Sequence, residues 1–191
     1  MGAILVQNTS WTNVERAIAN LRRDRLLSLE AIHATSAPRL ARLIRSSGYF
    51  RQKARKLKAF TSFVHREYRG SLTRMFRTST EALRTQLLGV HGIGRETADS
   101  ILLYAGRHPI FVIDSYTRRI LERHGMASPR DSYEQLRLLF ERQLPRDHRI
   151  FNEFHALLVL TAKLYCRKSE ARCSACPLKT FLPQAVDRHD F

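Results

Sequence analysis

The sequence predicts an all-α protein, and three observations predict it. Apolar residues recur at spacings of three and four along nearly all of the 191-residue chain, the period of amphipathic helices. Alternating runs of strand length are nearly absent: Pro109 to Ile113, the best candidate, is short and follows a turn. Capping residues and glycines punctuate the periodic stretches at helix-like intervals.

Taken in order, Trp11, Val14, Ile18 and Leu21 share one face and predict a helix over 11–23. A second runs over 37–47 and stops at Gly48. Leu57, Phe60 and Val64 predict a third over 51–69, stopped by Gly70. Thr78 and Glu81 have capping-box spacing before a helix over 80–88, and Gly106 ends one over 95–105. Gly125 closes a helix over 115–124. Asp131 and Glu134 repeat the capping-box spacing ahead of 132–144, whose apolar face is Leu136, Leu139 and Phe140; Phe151, Phe154 and Leu158 mark the last helix, over 149–165. No internal repeat or low-complexity segment interrupts the series, and the tail after Pro183 is polar and expected to fray.

The length suffices for one or two small domains enclosing a cleft. Lys plus Arg number 33 against 17 Asp plus Glu, a formal net charge of +16 with a pI near 10.8. Such an excess concentrates phosphates and makes binding salt dependent, so nucleic acid is the first partner to consider. Between Glu15 and Arg77 stand 16 basic and 4 acidic residues, a net +12 in about a third of the chain, which predicts one basic face. The basic run Arg51, Lys53, Arg55, Lys56 and Lys58 is in general a solvated helix face. The apolar opening run, Ala3 to Val6, is far shorter than a signal-peptide core or a membrane span; the expectation is a cytoplasmic protein with no membrane partner, nucleoid-associated if bacterial. Cys166, Cys173 and Cys176 fall in one short stretch, a pattern that suits a metal or cluster site better than a disulfide framework.

The sharpest local signal is Leu88-Gly89-Val90-His91-Gly92-Ile93-Gly94-Arg95-Glu96-Thr97-Ala98-Asp99, set between two predicted helices. Two glycines flanking a β-branched residue allow a tight turn whose amides point outward beside a helix N-terminus, an arrangement that holds phosphate. Ile93 should pack between the helices, with Ala98, Ile101, Leu102 and Ala105 as the second helix's buried face. Gly-x-Gly by itself is as often a plain turn. Eighteen residues beyond Glu96, Phe111-Val112-Ile113-Asp114-Ser115-Tyr116-Thr117 places one acid after an apolar run at a helix start, where a structural N-cap is the common role.

From Gly2 to about Leu178 these motifs, in this order and spacing, resemble the endonuclease III branch of the helix-hairpin-helix DNA glycosylases. The resemblance implies two packed helical subdomains with a cleft between them: a central one over 25–130 carrying the hairpin 88–99, and a terminal one from 1–24 plus 131–191 carrying a partial cluster loop, 166–182. It implies a single acting chain on double-stranded DNA containing a damaged base. Gly92, Ile93, Gly94, Arg95 and Thr97 match the hairpin that grips backbone phosphate without reading sequence. Asp114 occupies the position of the family's essential aspartate, a carboxylate that stabilises positive charge on the sugar and orients or deprotonates water.

Glu96 departs from the pattern, because bifunctional members carry there a lysine whose amine attacks the sugar and leads to strand cutting. A glutamate forms no imine, which implies a monofunctional enzyme; Gly94 to Asp99 is also similar to the 3-methyladenine glycosylase group, where an acid replaces that lysine. Gln7 resembles a glutamine pushed into the gap left by a flipped base, and Tyr49 the position of a wedge on a tight loop. As alternatives, Gln7 is an ordinary polar residue near a helix end, and Tyr49 a core residue after a helix stop. Beside such a wedge the basic run 51–58 would touch phosphate.

Cys166-x6-Cys173-x2-Cys176 has the first three spacings of the family's [4Fe-4S] loop, with Leu182 where the fourth cysteine belongs. Three thiolates allow a cluster with an outside ligand, zinc with a histidine such as His189, or a loop held by packing alone; Lys163 and His155 are candidates for a polar substitute. Relatives carry a helical segment ahead of the Gly2-Ala3-Ile4-Leu5 string, at which this sequence starts. The rival activities are a bifunctional glycosylase and abasic-site lyase, and a non-catalytic DNA-binding module.

Overall fold

The computed structural model describes residues 1–183, so the polar tail and His189 lie outside the described residues. Two compact units form along the chain, Met1–Gly106 and a second beginning at Arg107. All eight predicted helices are present, and no strand occurs among the described residues.

In the first unit, α1 (Gly2–Leu5), α2 (Trp11–Arg23), α3 (Leu29–Ala34), α4 (Ala37–Leu43), α5 (Phe50–Tyr68), α6 (Leu72–Met75), α7 (Thr80–Leu88) and α8 (Arg95–Ser100) surround a core of Leu21, Leu40, Ile44, Leu57, Val64, Leu83, Leu87 and Leu102, all buried. The short helices α1, α3 and α6 have too few turns to show a period and were not expected. The helix expected over 37–47 ends at Leu43 and tightens into a 3₁₀ turn over Arg45–Ser47; Asn20 Nδ2 takes up the Leu43 carbonyl at 3.0 Å.

Several punctuation marks act differently from their spacing. Ser79, not Thr78, is the N-cap of α7, and it makes no side-chain cap bond; the Thr78 hydroxyl turns to the Tyr68 hydroxyl at 3.2 Å. Gly106 has an ordinary right-handed backbone, and Arg107 takes the left-handed turn at φ 57°. The helix begun by α8 does reach Ala105, but its last five residues widen into a π turn. An i to i+5 turn rotates the faces, so Leu103 is buried with Ile101 and Leu102, while Ala105, expected inside, is exposed.

In the second unit, α9 (Ser115–Arg123), α10 (Tyr133–Gln143) and α11 (His148–Leu164) pack round an aromatic cluster. Phe111 stacks on Phe140 with centroids 4.0 Å apart and meets Phe151 edge-on at 5.6 Å. The capping box of α10 is Ser132 with Gln135, both halves formed, whereas Asp131 instead accepts the Ser128 amide at 2.7 Å. Residues 109–113 form neither helix nor ladder, with a bend at Pro109. Their amides find side chains of α10 instead: Phe111 N–H donates to Glu141 Oε1 at 2.9 Å and Ile113 N–H to the Tyr133 hydroxyl at 3.3 Å. Buried backbone amides outside regular structure need such partners, and here they fix the segment that leads into Asp114.

Candidate functional site

The hairpin forms between α7 and α8. Gly92 has φ +80°, a left-handed conformation that strains residues bearing a Cβ. Ile93 is buried beneath it and its amide closes the turn on the Val90 carbonyl at 3.0 Å. Gly94 begins α8 with no side chain to cap it, so the first-turn amides of that helix are not covered by a cap. Arg95 and Glu96 are exposed in this first turn, and Thr97 is buried.

Gln7 is brought onto this hairpin. Its Nε2 donates to the Gly92 carbonyl at 3.2 Å and the Thr97 hydroxyl at 2.8 Å, and its Oε1 accepts from Lys56 Nζ. To reach Gln7, the Lys56 stem lies directly across Gly92: an added Cβ would stand 2.7 Å from Lys56 Cδ and closer still to Cγ. Gly92→Ala therefore combines a strained backbone with a displaced lysine, and is expected to cost about 1–3 kcal/mol. Urea unfolding measures it; a loss below about 0.5 kcal/mol would show that Lys56 swings away freely.

The basic run on α5 divides in two. Arg51 and Arg55 are exposed. Lys53, by contrast, is 1 % exposed, and its Nζ donates to the carbonyls of Leu5 and Ser47. Burial, with Lys56 nearby, lowers its pKa to about 8. Lys58 Nζ donates to the carbonyls of His33 and Thr35, closing the C-terminus of α3. Three of the five cations expected on a solvated face are thus internal fasteners. Lys53 also anchors the turn that presents Tyr49, whose left-handed backbone (φ 44°, ψ 31°) directly precedes α5 and leaves the ring 64 % exposed. A strained, exposed aromatic on a tethered tight turn is not a core residue.

In the second unit Asp114 is the N-cap of α9, with Oδ1 accepting the Thr117 amide at 2.7 Å. The capping and functional readings of this residue do not exclude each other, because only one carboxylate oxygen is used. Oδ2 stands 3.8 Å from His155 Nε2. His155, buried on α11, sits beside Asp114; sequence reasoning associated it with the cysteine loop. Its pKa lies below the usual 6.5, because burial outweighs the attraction of Asp114. Lys163 is exposed in the last turn of the same helix.

The cysteine loop is tied to α9 by arginines. Arg119 Nε donates to the Cys166 carbonyl at 2.7 Å, and Arg123 Nη1 donates to the Arg167 carbonyl at 2.8 Å and to Cys166 Sγ at 3.2 Å. Cys166, Cys173, Cys176 and Leu182 border one cavity of about 20 Å³, with His124 alongside. His124 Nδ1 lies 3.0 Å from the Phe181 carbonyl. Among the described residues no three His, Cys, Asp or Glu side chains are gathered to hold a metal. With an aliphatic at the fourth position and a guanidinium on the first sulfur, these residues do not supply the four thiolate donors of a four-iron cluster loop; protein hydrogen bonds tie the loop to α9.

With this geometry the chain is comparable to known proteins. The model of the HhH-GPD superfamily of base excision DNA repair proteins matches residues 1–146. A Methanocaldococcus jannaschii chain named "Putative DNA repair glycosylase MJ1434" is 44 % identical over 183 residues, 95 % of this chain and 82 % of that one. The structure of the H. pylori 3-methyladenine DNA glycosylase MagIII bound to 1,N6-ethenoadenine superimposes with a TM-score of 0.75 at 27 % identity, covering 85 % of this chain and 82 % of that one. The fold is also that of an endonuclease III solved as a non-covalent DNA complex: TM-score 0.80, 20 % identity, 95 % of this chain and 79 % of that one.

Proposed function

The chain belongs to the HhH-GPD superfamily of base excision DNA repair proteins, and from that premise we propose that it is a monofunctional DNA N-glycosylase, acting as a single chain to hydrolyse the bond between a damaged base and its sugar. The observation that carries the monofunctional reading is Glu96, which stands in the first turn of α8 at the hairpin position where lyase relatives carry lysine. A carboxylate there forms no Schiff base. Water is then the nucleophile, and Asp114 supplies the negative charge that develops its value as the glycosidic bond breaks and the sugar becomes cationic.

Binding follows from the first unit. The amides of the Gly92-Ile93-Gly94 turn and the start of α8, with Arg95, receive a backbone phosphate, and Thr97 and Gln7 brace the turn from within. Tyr49 enters the stack where the damaged nucleotide leaves it. Gln7 can follow only by giving up its bonds to Gly92, Thr97 and Lys56, so its entry is coupled to the hairpin. An alkylated base is the favoured substrate: the Gly94 to Asp99 string is similar to the 3-methyladenine group, and such cationic bases leave with less help. The cysteine loop acts as a clasp on α9 through Arg119 and Arg123.

Incubation with a panel of damaged duplexes is expected to yield free base and an intact abasic strand that breaks only after alkali, with no adduct trapped by borohydride. An adduct mapped to a lysine such as Lys163 would overturn the monofunctional reading. Binding without base release from any duplex would overturn the enzyme.

A further inference from the structure

A buried imidazole stands against the carboxylate assigned to the chemistry. His155 is 7 % exposed on α11, and its Nε2 is 3.8 Å from Asp114 Oδ2, the oxygen that α9 does not use for its cap. Phe111 meets the imidazole edge-on with centroids 6.2 Å apart, so the ring's place is set by the same residue that anchors the aromatic cluster. A histidine so placed either fills the core, where any flat ring would serve, or acts on the charge of Asp114.

The separation decides between these roles. At 3.8 Å an imidazolium and the carboxylate form an ion pair, and in a site shielded from water that attraction is many times stronger than in solution. An imidazolium and a cationic sugar would therefore compete for one negative charge. The neighbouring charged groups are turned elsewhere. On α9, Arg119 binds the Cys166 carbonyl and Arg118 the Asp131 carbonyl. On α10, Glu141 binds the Phe111 amide and Arg137, and the Tyr133 hydroxyl takes the Ile113 amide. On α11, Glu153 is exposed and Arg149 pairs with Asp147. The charge of Asp114 acts on the imidazole, raising its pKa against the effect of burial.

Building on the glycosylase reading, we propose that His155 is a positioning residue for Asp114. As neutral imidazole it walls the Oδ2 side and leaves the carboxylate's charge to the sugar; as imidazolium it pairs with Oδ2 and withdraws that charge, so acidification shuts off base release through His155. Burial favours the neutral form, which sets the working state at neutral pH.

Two measurements test this. Single-turnover base release from one damaged duplex, followed from about pH 5 to 8, is expected to fall about tenfold per pH unit on the acid side of the His155 titration. In His155→Gln and His155→Phe the ratio of neutral to acid rates should collapse toward one, whatever the absolute rates. A purely structural role would scale the rate at every pH and leave the limb in place, and a limb that survives in both variants overturns the proposal. The second measurement needs no substrate: the His155 imidazole is titrated by NMR in the free protein and in Asp114→Asn. Its pKa should drop further without the carboxylate; an unmoved titration overturns the pairing. No base release from any duplex together with a moved titration would sink the glycosylase reading and the acid shut-off while leaving the pairing standing, whereas base release with an unaltered limb in both variants would leave the glycosylase reading standing and sink the acid shut-off.

Discussion

Asp114→Asn is expected to lower single-turnover base release by about 10²–10³-fold, the scale of removing one preorganised electrostatic group from a transition state. Asparagine is the informative substitution because Asp114 has two jobs. It caps α9 through Oδ1 and the Thr117 amide, and asparagine caps as well as aspartate. The variant therefore keeps α9, the arginines that clasp the cysteine loop and the duplex affinity, and loses only the charge. Asp114→Ala removes the cap too and should cost about 1 kcal/mol of stability besides. Measured side by side, rate and urea midpoint separate the jobs: Asn lowers the first alone, Ala lowers both. A rate for Asp114→Asn within a few-fold of the unmodified protein would dismiss Asp114 as the catalytic carboxylate.

The largest loss of stability is expected from Asp99→Ala. Asp99 is fully buried on α8, and Arg84 of α7 grips it with both arms, Nε to Oδ1 at 2.6 Å and Nη2 to Oδ2 at 3.2 Å. The pair fastens together the two helices that flank the hairpin. Removing the carboxylate takes both of these bonds from a guanidinium whose side chain is 16 % exposed, and breaking a buried pair from one side costs about 3–5 kcal/mol, a large part of a domain's usual 5–15 kcal/mol. Replacing both members by apolar residues, Arg84→Met with Asp99→Leu, should recover most of that loss, since desolvation is then relieved on both sides. Urea unfolding of the two variants decides: a loss under about 1 kcal/mol in Asp99→Ala would mean the pair contributes as a surface bridge does.

Much of the candidate site is legible in the residues because it is local. The hairpin needs its two glycines around Ile93 within a dozen residues. Asp114 announces itself as the acid before a helix, and Tyr49 follows a glycine that ends one. Helix spans are readable for the same reason, since an amphipathic face repeats within one turn. Where the expectation slipped, the competing signal was also local: Ser132 and Gln135 form the capping box one residue along from Asp131 and Glu134, and the π turn after Ser100 exchanges Leu103 for Ala105 at the buried face.

By itself, then, the sequence determined the eight periodic helices, the hairpin and the single carboxylate at the head of α9, all encoded by near neighbours along the chain, while the short α1, α3 and α6 gave no such signal. Tertiary structure alone decided what pairs with what across the chain. Lys53, Lys56 and Lys58 look alike in a basic run. Only the closing of α5 against α1, α3 and the hairpin makes them fasteners on Leu5, Gln7 and His33. The Arg84–Asp99 pair and the Asp114–His155 pair likewise join residues on different helices. Helix periodicity states which face is buried but not which partner it meets, and a charged or titratable side chain takes its role from that partner and from the water its burial excludes.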